Sequence, residues 1–327
     1  MYDNAHFPRA KKFWYQGKFY DWTEPCVHVM SHALHYGTSV FEGIRAYSTA
    51  KGSAIFRLPE HVDRFLHSAS VLGMKVPFSK EEICHAIQST VLENQLESAY
   101  IRPLLFSSFG NLGLIPRHSP AELTIGAWEW GAYLGKKSRT GVKAYIVPWR
   151  RIHHSQFDMT AKLGGVYVQS AICGRLARSR GCDEAIFLNL EGNIAEGPGE
   201  NILIVKDGIL KTNDKSESIL EGITRTTLLQ LAEDRGIPTS IGPITKKELI
   251  QADEVFFSGT AVEIAPIVHV KDASDPDSPE KEYQIGSGQT GEVTQRIAQA
   301  YTDAVTGKTK DYEKWLTYIN EEVRSKK

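Results

Sequence analysis

A lysine set among small and apolar neighbours and followed by two glycines could carry chemistry: Met159-Thr160-Ala161-Lys162-Leu163-Gly164-Gly165-Val166-Tyr167. Such a run suits a crowded, partly desolvated place, where an amine becomes a better nucleophile toward an aldehyde. A second segment, Ala195-Glu196-Gly197-Pro198-Gly199-Glu200-Asn201, sets a carboxylate at a turn between two apolar stretches, where it could be held rigidly beside a cationic ring nitrogen. A third, Leu220-Glu221-Gly222-Ile223-Thr224-Arg225, leads into a helical pattern carrying Leu228, Leu229 and Ala232. Glycine then threonine at a helix start offers N–H groups, a hydroxyl and the positive end of the helix dipole to a phosphate. Taken singly, each segment also fits an ordinary exposed lysine, turn or N-cap.

Their order and spacing, followed by Ser258-Gly259-Thr260-Ala261, resemble the fold-type IV (class IV) aminotransferases, which use pyridoxal 5′-phosphate. The first half is similar to the bacterial branched-chain aminotransferases in the run from His28 to Arg45, in Glu60-His61-Val62-Asp63-Arg64, in Ser98-Ala99-Tyr100-Ile101-Arg102-Pro103 and in Trp130-Gly131-Ala132-Tyr133-Leu134-Gly135. The resemblance covers about residues 10–305. It implies that Lys162 holds the cofactor as a Schiff base and then moves the proton between Cα and C4′. Glu196 is implied as partner of the pyridine nitrogen, and Tyr167 as partner of O3′. Arg64, Ile223, Thr224 and Thr260 are implied at the phosphate, and Leu220 against the ring. Tyr36, Phe41, Gly43, Tyr100, Trp130 and Tyr133 are implied as substrate contacts, with the Thr260 and Ala261 amides taking the α-carboxylate. Arg102 is expected to meet the γ-carboxylate of glutamate, with Tyr36 assisting. The resemblance also implies a homodimer in which Tyr36 completes the partner's pocket, and it allows a hexamer. The expected reaction passes the amino group between L-Leu, L-Ile or L-Val and 2-oxoglutarate. Within the cofactor class, a D-amino acid or amine transaminase and an aminodeoxychorismate lyase are the alternatives; they fit the Tyr36–Arg45 segment less well. Val166, Pro198 and Val262 depart from the family pattern.

The elements that must position these residues alternate along the chain. Residues 13–22 read as a hairpin about Gln16-Gly17-Lys18, and 53–58 as a strand before a helix with Pro59 in its first turn. Ser79 and Glu82 have capping-box spacing, repeated by Thr245 and Glu248. Residues 100–109, 122–133, 143–149, 184–190 and 254–258 read as strands, 167–180 as a helix, and 200–212 as a hairpin turned at Asp207-Gly208. The tail segments KDYEKW and EEVRSKK read as a solvated helical end. The fold expected is a two-domain α/β (α+β) type IV enzyme: a small α/β domain over 1–134, a loop over 135–142, and a larger mixed-sheet, barrel-like cofactor domain over 143–327.

Several other functions are disfavoured. At 327 residues, 41% hydrophobic, 24% charged and a formal net charge of −1, the chain reads as an ordinary globular protein without a basic nucleic-acid or membrane surface. The N-terminus lacks an apolar core of the secretory kind, apolar runs are strand-sized, and the four cysteines are scattered, so a cytoplasmic location is expected. Gly286-Ser287-Gly288-Gln289-Thr290-Gly291 matches GxGxxG, the feature behind a nicotinamide-oxidoreductase alternative. It follows a polar stretch too near the end of the chain for a nucleotide-binding half, and a helix-entry loop is expected. His28, His32 and His35 share a helix-face spacing without acidic or cysteine partners, and His153-His154 reads as a polar loop; no metal is expected.

Overall fold

The computed structural model describes residues 6–24, 27–131, 134 and 140–319. Tyr133, most of the expected 135–142 loop and the EEVRSKK tail lie outside them. The chain divides into two compact units: Met1–Gly131 with Ala161–Gly165 and Asp303–Lys327, and Ala132–Thr160 with Val166–Thr302.

The first unit is built on an antiparallel sheet. Its elements are β1 (Lys12–Tyr15), β2 (Lys18–Asp21), α1 (His32–Tyr36), β3 (Ser39–Phe41), β4 (Ile44–Thr49), β5 (Gly52–Phe56), α2 (Leu58–Val71), α3 (Lys80–Glu93), β6 (Ala99–Ser107) and β7 (Ala121–Trp128). The strand order is β5-β4-β6-β7-β1-β2, with β3 also on β6. Gln16 and Gly17 both take positive φ, 47° and 89°, and so close the first hairpin as its sequence demands. Ser79 makes the expected capping box with Glu82 at the head of α3, which packs on β1, β6 and β7. Ile44, Ile55, Phe65, Ile83, Ile87 and Ile101 are fully buried in this unit. β7 stops at Trp128 rather than 133, because the Glu129 amide leaves the ladder and donates to Pro8 O at 2.8 Å.

The tail differs from expectation. Lys310–Trp315 is a 3₁₀ turn, not a solvated helical end, and it buries Tyr312 and Trp315. Trp315 stacks on Tyr312 at 4.5 Å and lies under the Arg57 guanidinium at 5.0 Å. The final strand of the sheet, Leu316–Tyr318, then pairs with β5. Burial of two aromatic rings outweighs the charge of KDYEKW, which a reading of charge alone overlooks.

The second unit carries a mixed sheet: β8 (Val142–Arg150), β9 (Glu184–Leu188), β10 (Asn201–Lys206), β11 (Ile209–Thr212), β12 (Thr239–Ile241), β13 (Glu254–Gly259), β14 (Glu263–Asp272) and β15 (Lys281–Gln284). The order is β12-β11-β10-β13-β14-β8-β9, parallel at β8/β9, β8/β14 and β11/β12; the described strands do not close into a barrel. The period-2 alternation of β8 separates two cores. Ala144 and Ile146 join Ile186, Ile202, Phe257 and Val270 on one face. Tyr145 and Val147 join Ala185 and Phe187 on the other, under Cys173 and Ala177 of α4 (Tyr167–Ser179). The helices α5 (Ile223–Glu233), α6 (Lys246–Ile250) and α7 (Glu292–Val305) complete the unit's described helices. Asp207 and Gly208, at φ 50° and 78°, turn the β10–β11 hairpin as expected.

Thr245 and Glu248 form the capping box of α6, and Glu248 also accepts from Lys211 Nζ at 2.7 Å. Burial pushes the Glu248 carboxyl up, but the bonds from Lys211 and Thr245 outweigh it and bring it from 4.5 to about 2. The folded state therefore binds this proton less readily than the unfolded chain does. Its contribution is complete above pH 4.5 and is lost as pH falls toward about 2. In urea unfolding, the stability advantage of the wild type over Glu248→Gln should shrink through that window; an advantage independent of pH would refute the ion-pair origin.

Candidate active site

In the first unit, the Lys162 segment lies along β3. The Phe41 amide donates to Lys162 O at 3.3 Å, Leu163 bridges Val40, and the Lys162 amide donates to Ser68 Oγ at 2.9 Å. Gly164 and Gly37 allow this approach. A Cβ on Gly164 would meet Ser39 Oγ at 2.2 Å, and Gly165 Cα would be 2.9 Å from a Cβ on Gly37. Lys162 Nζ is then 5.0 Å from the Phe41 ring centroid, in a half-buried place.

An aromatic wall surrounds Arg102 in the same unit. Its guanidinium lies 4.8 Å from the Phe41 ring and 5.3 Å from Tyr100, and donates to Tyr100 Oη at 2.9 Å. Tyr100 stacks on Trp130 at 4.7 Å and meets Trp128 at 5.2 Å. Gly43 is required here, since a Cβ would meet Tyr100 Oη at 2.2 Å. Arg102 Nε is buried without a hydrogen-bond partner among the described residues. Tyr36, at the end of α1, is 47% exposed and donates to Leu112 O at 3.1 Å.

Arg64 projects from α2 onto Glu42, in the turn between β3 and β4. Its Nε donates to Glu42 Oε1 at 2.6 Å and Nη2 to Oε2 at 2.9 Å. His61 Nδ1 is 2.9 Å from Oε2. Burial alone would push the Glu42 carboxyl up, but the Arg64 charge and the bonds from His61 and Arg64 hold it well below the usual carboxylate range.

The second unit gathers the other expected residues. Glu196 is buried, with Oε1 2.9 Å from both Nε and Nη2 of Arg151 and Oε2 accepting from the Leu220 amide at 3.1 Å. Asn201 links Leu220 to α5 by donating to Leu220 O and accepting from Gly222 N, at 2.8 and 3.0 Å. Helix α5 opens on Gly222 with no side-chain cap and no acidic residue in its first turn, followed by half-buried Ile223 and buried Thr224. An uncapped, acid-free helix start is a site for an anion. Asn201 pairs in register with Ser258, next to the Gly259–Glu263 turn that carries Thr260 and Ala261. Tyr167 begins α4.

The rival motifs have other partners. At the GxGxxG segment, Glu254 accepts from the Val293 and Thr294 amides at 3.0 and 2.7 Å, so a carboxylate fills the place a pyrophosphate would take at α7. The segment is a helix-entry loop. His32 bonds Thr38 Oγ1 and Gly113 O, His35 bonds Val29 O, and His28 accepts from the Met30 amide. Among the described residues no group of three or more His, Cys, Asp or Glu gathers for a metal.

Residues 39–270 match the model of the amino-transferase class IV family. The chain belongs to the class IV aminotransferases. It is 42% identical to the branched-chain-amino-acid aminotransferase of Pseudomonas aeruginosa, over 94% of this chain and 96% of that one. To that of Escherichia coli it is 41% identical, over 96% and 99%. The crystal structure of the Escherichia coli branched-chain amino acid aminotransferase aligns with a TM-score of 0.89 at 41% identity, covering 95% of this chain and 100% of that one. A second solved branched-chain aminotransferase, from T.th. and holding pyridoxamine 5′-phosphate, aligns with the same TM-score of 0.89 at 44% identity, covering 96% and 100%. This aminotransferase is accordingly a transaminase with a two-sheet α/β type IV fold.

Sequence reasoning on the aminotransferase gave no role to Glu42, His61, Ser68, Arg151 or Asn201. Glu42 and His61 stood inside the family-like runs, where a buried pairing between them had no local signal. Arg151 follows directly on β8, with nothing in its neighbours to mark it.

Proposed function

We propose that the enzyme uses pyridoxal 5′-phosphate to pass the amino group of L-leucine, L-isoleucine or L-valine to 2-oxoglutarate in two half-reactions. The residues fit that cofactor: an amine on a firmly bonded backbone, a carboxylate with a fixed plane, an arginine, and an uncapped helix start for a phosphate. When bound, the cofactor supplies an aldehyde to take up the amino group and a ring that draws electrons from Cα. Lys162 takes the proton from Cα and returns it. Glu196 holds the ring nitrogen, with its carboxylate fixed by Arg151 and the Leu220 amide, and Tyr167 bonds the ring oxygen. Arg64, Ile223, Thr224 and Thr260 hold the phosphate; Leu220 lies on the ring. The amides of Thr260 and Ala261 receive the α-carboxylate. Phe41, Tyr100 and Trp130 exclude water around a branched side chain, and Gly43 leaves it room.

The observation that carries the substrate pair is Arg102. Its Nε has no partner among the described residues, and its faces are covered by rings. The same space therefore accepts an apolar chain against the rings or a γ-carboxylate on the guanidinium. Arg102→Ala should lower the half-reaction with glutamate by about 10- to 100-fold, the worth of a charged hydrogen bond, and that with leucine far less. Equal losses would refute the dual role.

A second copy of the chain is the proposed partner. Val29, Leu34, Tyr36, Phe109, Leu114 and Ile115 are exposed apolar residues, Leu114 at 78%. They sit on α1, on the segment just before it and on the 109–115 loop, which are tied together by the Ser31–Phe109 bridge and by bonds from His32 and Tyr36. Exposed apolar surface of this kind marks an interface. The dimer so formed brings Tyr36 to the partner's substrate. Leu34→Asp should yield monomers in sedimentation and little activity; a fully active monomer would refute the shared site. A cytoplasmic location is part of the same proposal.

A further inference from the structure

Glu42 is a carboxylate with no exposed surface, in an ion pair that apolar residues of similar volume could replace as a whole without loss of stability. Its retention calls for a role beyond packing. Its partners are Arg64 and His61, three residues apart on one face of α2. An ionised carboxylate only accepts hydrogen bonds, so His61 must donate through Nδ1–H. Burial holds His61 toward its neutral form, despite the bond to Glu42. The three groups therefore carry no net charge, and the carboxylate takes the Nε and Nη2 donors of the guanidinium.

We propose that Glu42, itself fixed by His61, is a positioning residue that sets the plane of Arg64, so that the guanidinium's other bidentate edge, Nη1–Nη2, addresses the cofactor phosphate. The inference rests on the reading of Arg64 as a phosphate partner and deepens it. A guanidinium presents its five donors in a fixed fork, and one bidentate grip determines the direction of the next. The backbone reinforces this. Ser68 Oγ donates to Arg64 O at 2.8 Å and accepts from the Lys162 amide at 2.9 Å, so α2 holds the phosphate residue and the lysine segment together.

Glu42 has two opposed effects on a bound phosphate. By charge alone it weakens the attraction, because it cancels the positive charge of Arg64. By geometry it strengthens it, because an arginine side chain that is already ordered loses less freedom on binding. The sign of the change on removing the charge decides between the two.

The test titrates cofactor-free enzyme with pyridoxal 5′-phosphate and separately with pyridoxal, which lacks the phosphate. Glu42→Gln is expected to weaken the phosphorylated form by about 10- to 100-fold, the range for groups that orient a ligand-holding residue at metal sites. Pyridoxal affinity should stay within about twofold, since the aldehyde and ring contacts are elsewhere; a merely structural role would weaken both alike. Unchanged or tighter binding of pyridoxal 5′-phosphate by Glu42→Gln overturns the proposal in favour of charge alone. Glu42→Asp keeps the charge but shortens the reach, and is expected to lose the same discrimination; a wild-type ratio in that variant also overturns it, even if Glu42→Gln fails to fold. Arg64→Ala separates the two levels. If it leaves the ratio of the two affinities untouched, the phosphate role of Arg64 is wrong; if it collapses the ratio while the Glu42 variants do not, only the positioning role is wrong.

Discussion

Lys162→Ala should lower transamination of L-leucine by at least about 10⁴-fold, the upper range for loss of a positioned general acid–base. The fold should survive, because the anchors of this segment are the main-chain bonds to Ser68 and Phe41 and the close glycine contacts at Gly164 and Gly165. The unfolding midpoint in urea should therefore move little. A small amine added to the variant should restore part of the rate, since what is missing is an amine and not the shape around it. A variant that keeps more than about a hundredth of the activity, below the smallest loss typical of such a group, would show that another residue moves the proton.

Arg151→Leu should cost about 3–5 kcal/mol of stability, the range for stripping a buried carboxylate of its partner. Arg151 is 3% exposed and Glu196 4%, and the guanidinium grips Oε1 at 2.9 Å through both Nε and Nη2. Arg151 also donates to Gln169 Oε1 at 3.2 Å and lies 5.2 Å from the Phe187 ring, so the loss reaches the packing under α4. The double variant Arg151→Leu/Glu196→Leu should recover most of that stability, because neither charge is then buried alone, while remaining inactive. If the single variant loses less than about 1 kcal/mol, the typical value of an exposed pair, the ion pair is not carrying Glu196.

Local rules written into single segments were legible. Gln16-Gly17 and Asp207-Gly208 demand positive φ and receive it, and both capping boxes form as spaced. Strand ends were less so. β9 stops at Leu188 rather than 190 because the Asn189 amide turns back to Asn193 O, a bond no propensity foretells. The short strands β3 and β4 and the terminal Leu316–Tyr318 gave no clear pattern, since their partners lie far along the chain. The site divides the same way. Its reactive groups stood in recognisable runs, whereas the groups that hold them pair across sequence gaps of 22 for Arg64–Glu42 and 45 for Arg151–Glu196. Buried partners of this kind are decided by the fold.

The most direct test is the half-reaction of the cofactor-loaded enzyme, followed by the absorbance of the bound cofactor. L-leucine should bleach it rapidly and 2-oxoglutarate should restore it. Silence with L-leucine, together with bleaching by D-alanine or 1-phenylethylamine, would keep Lys162 in its role but contradict the branched-chain assignment.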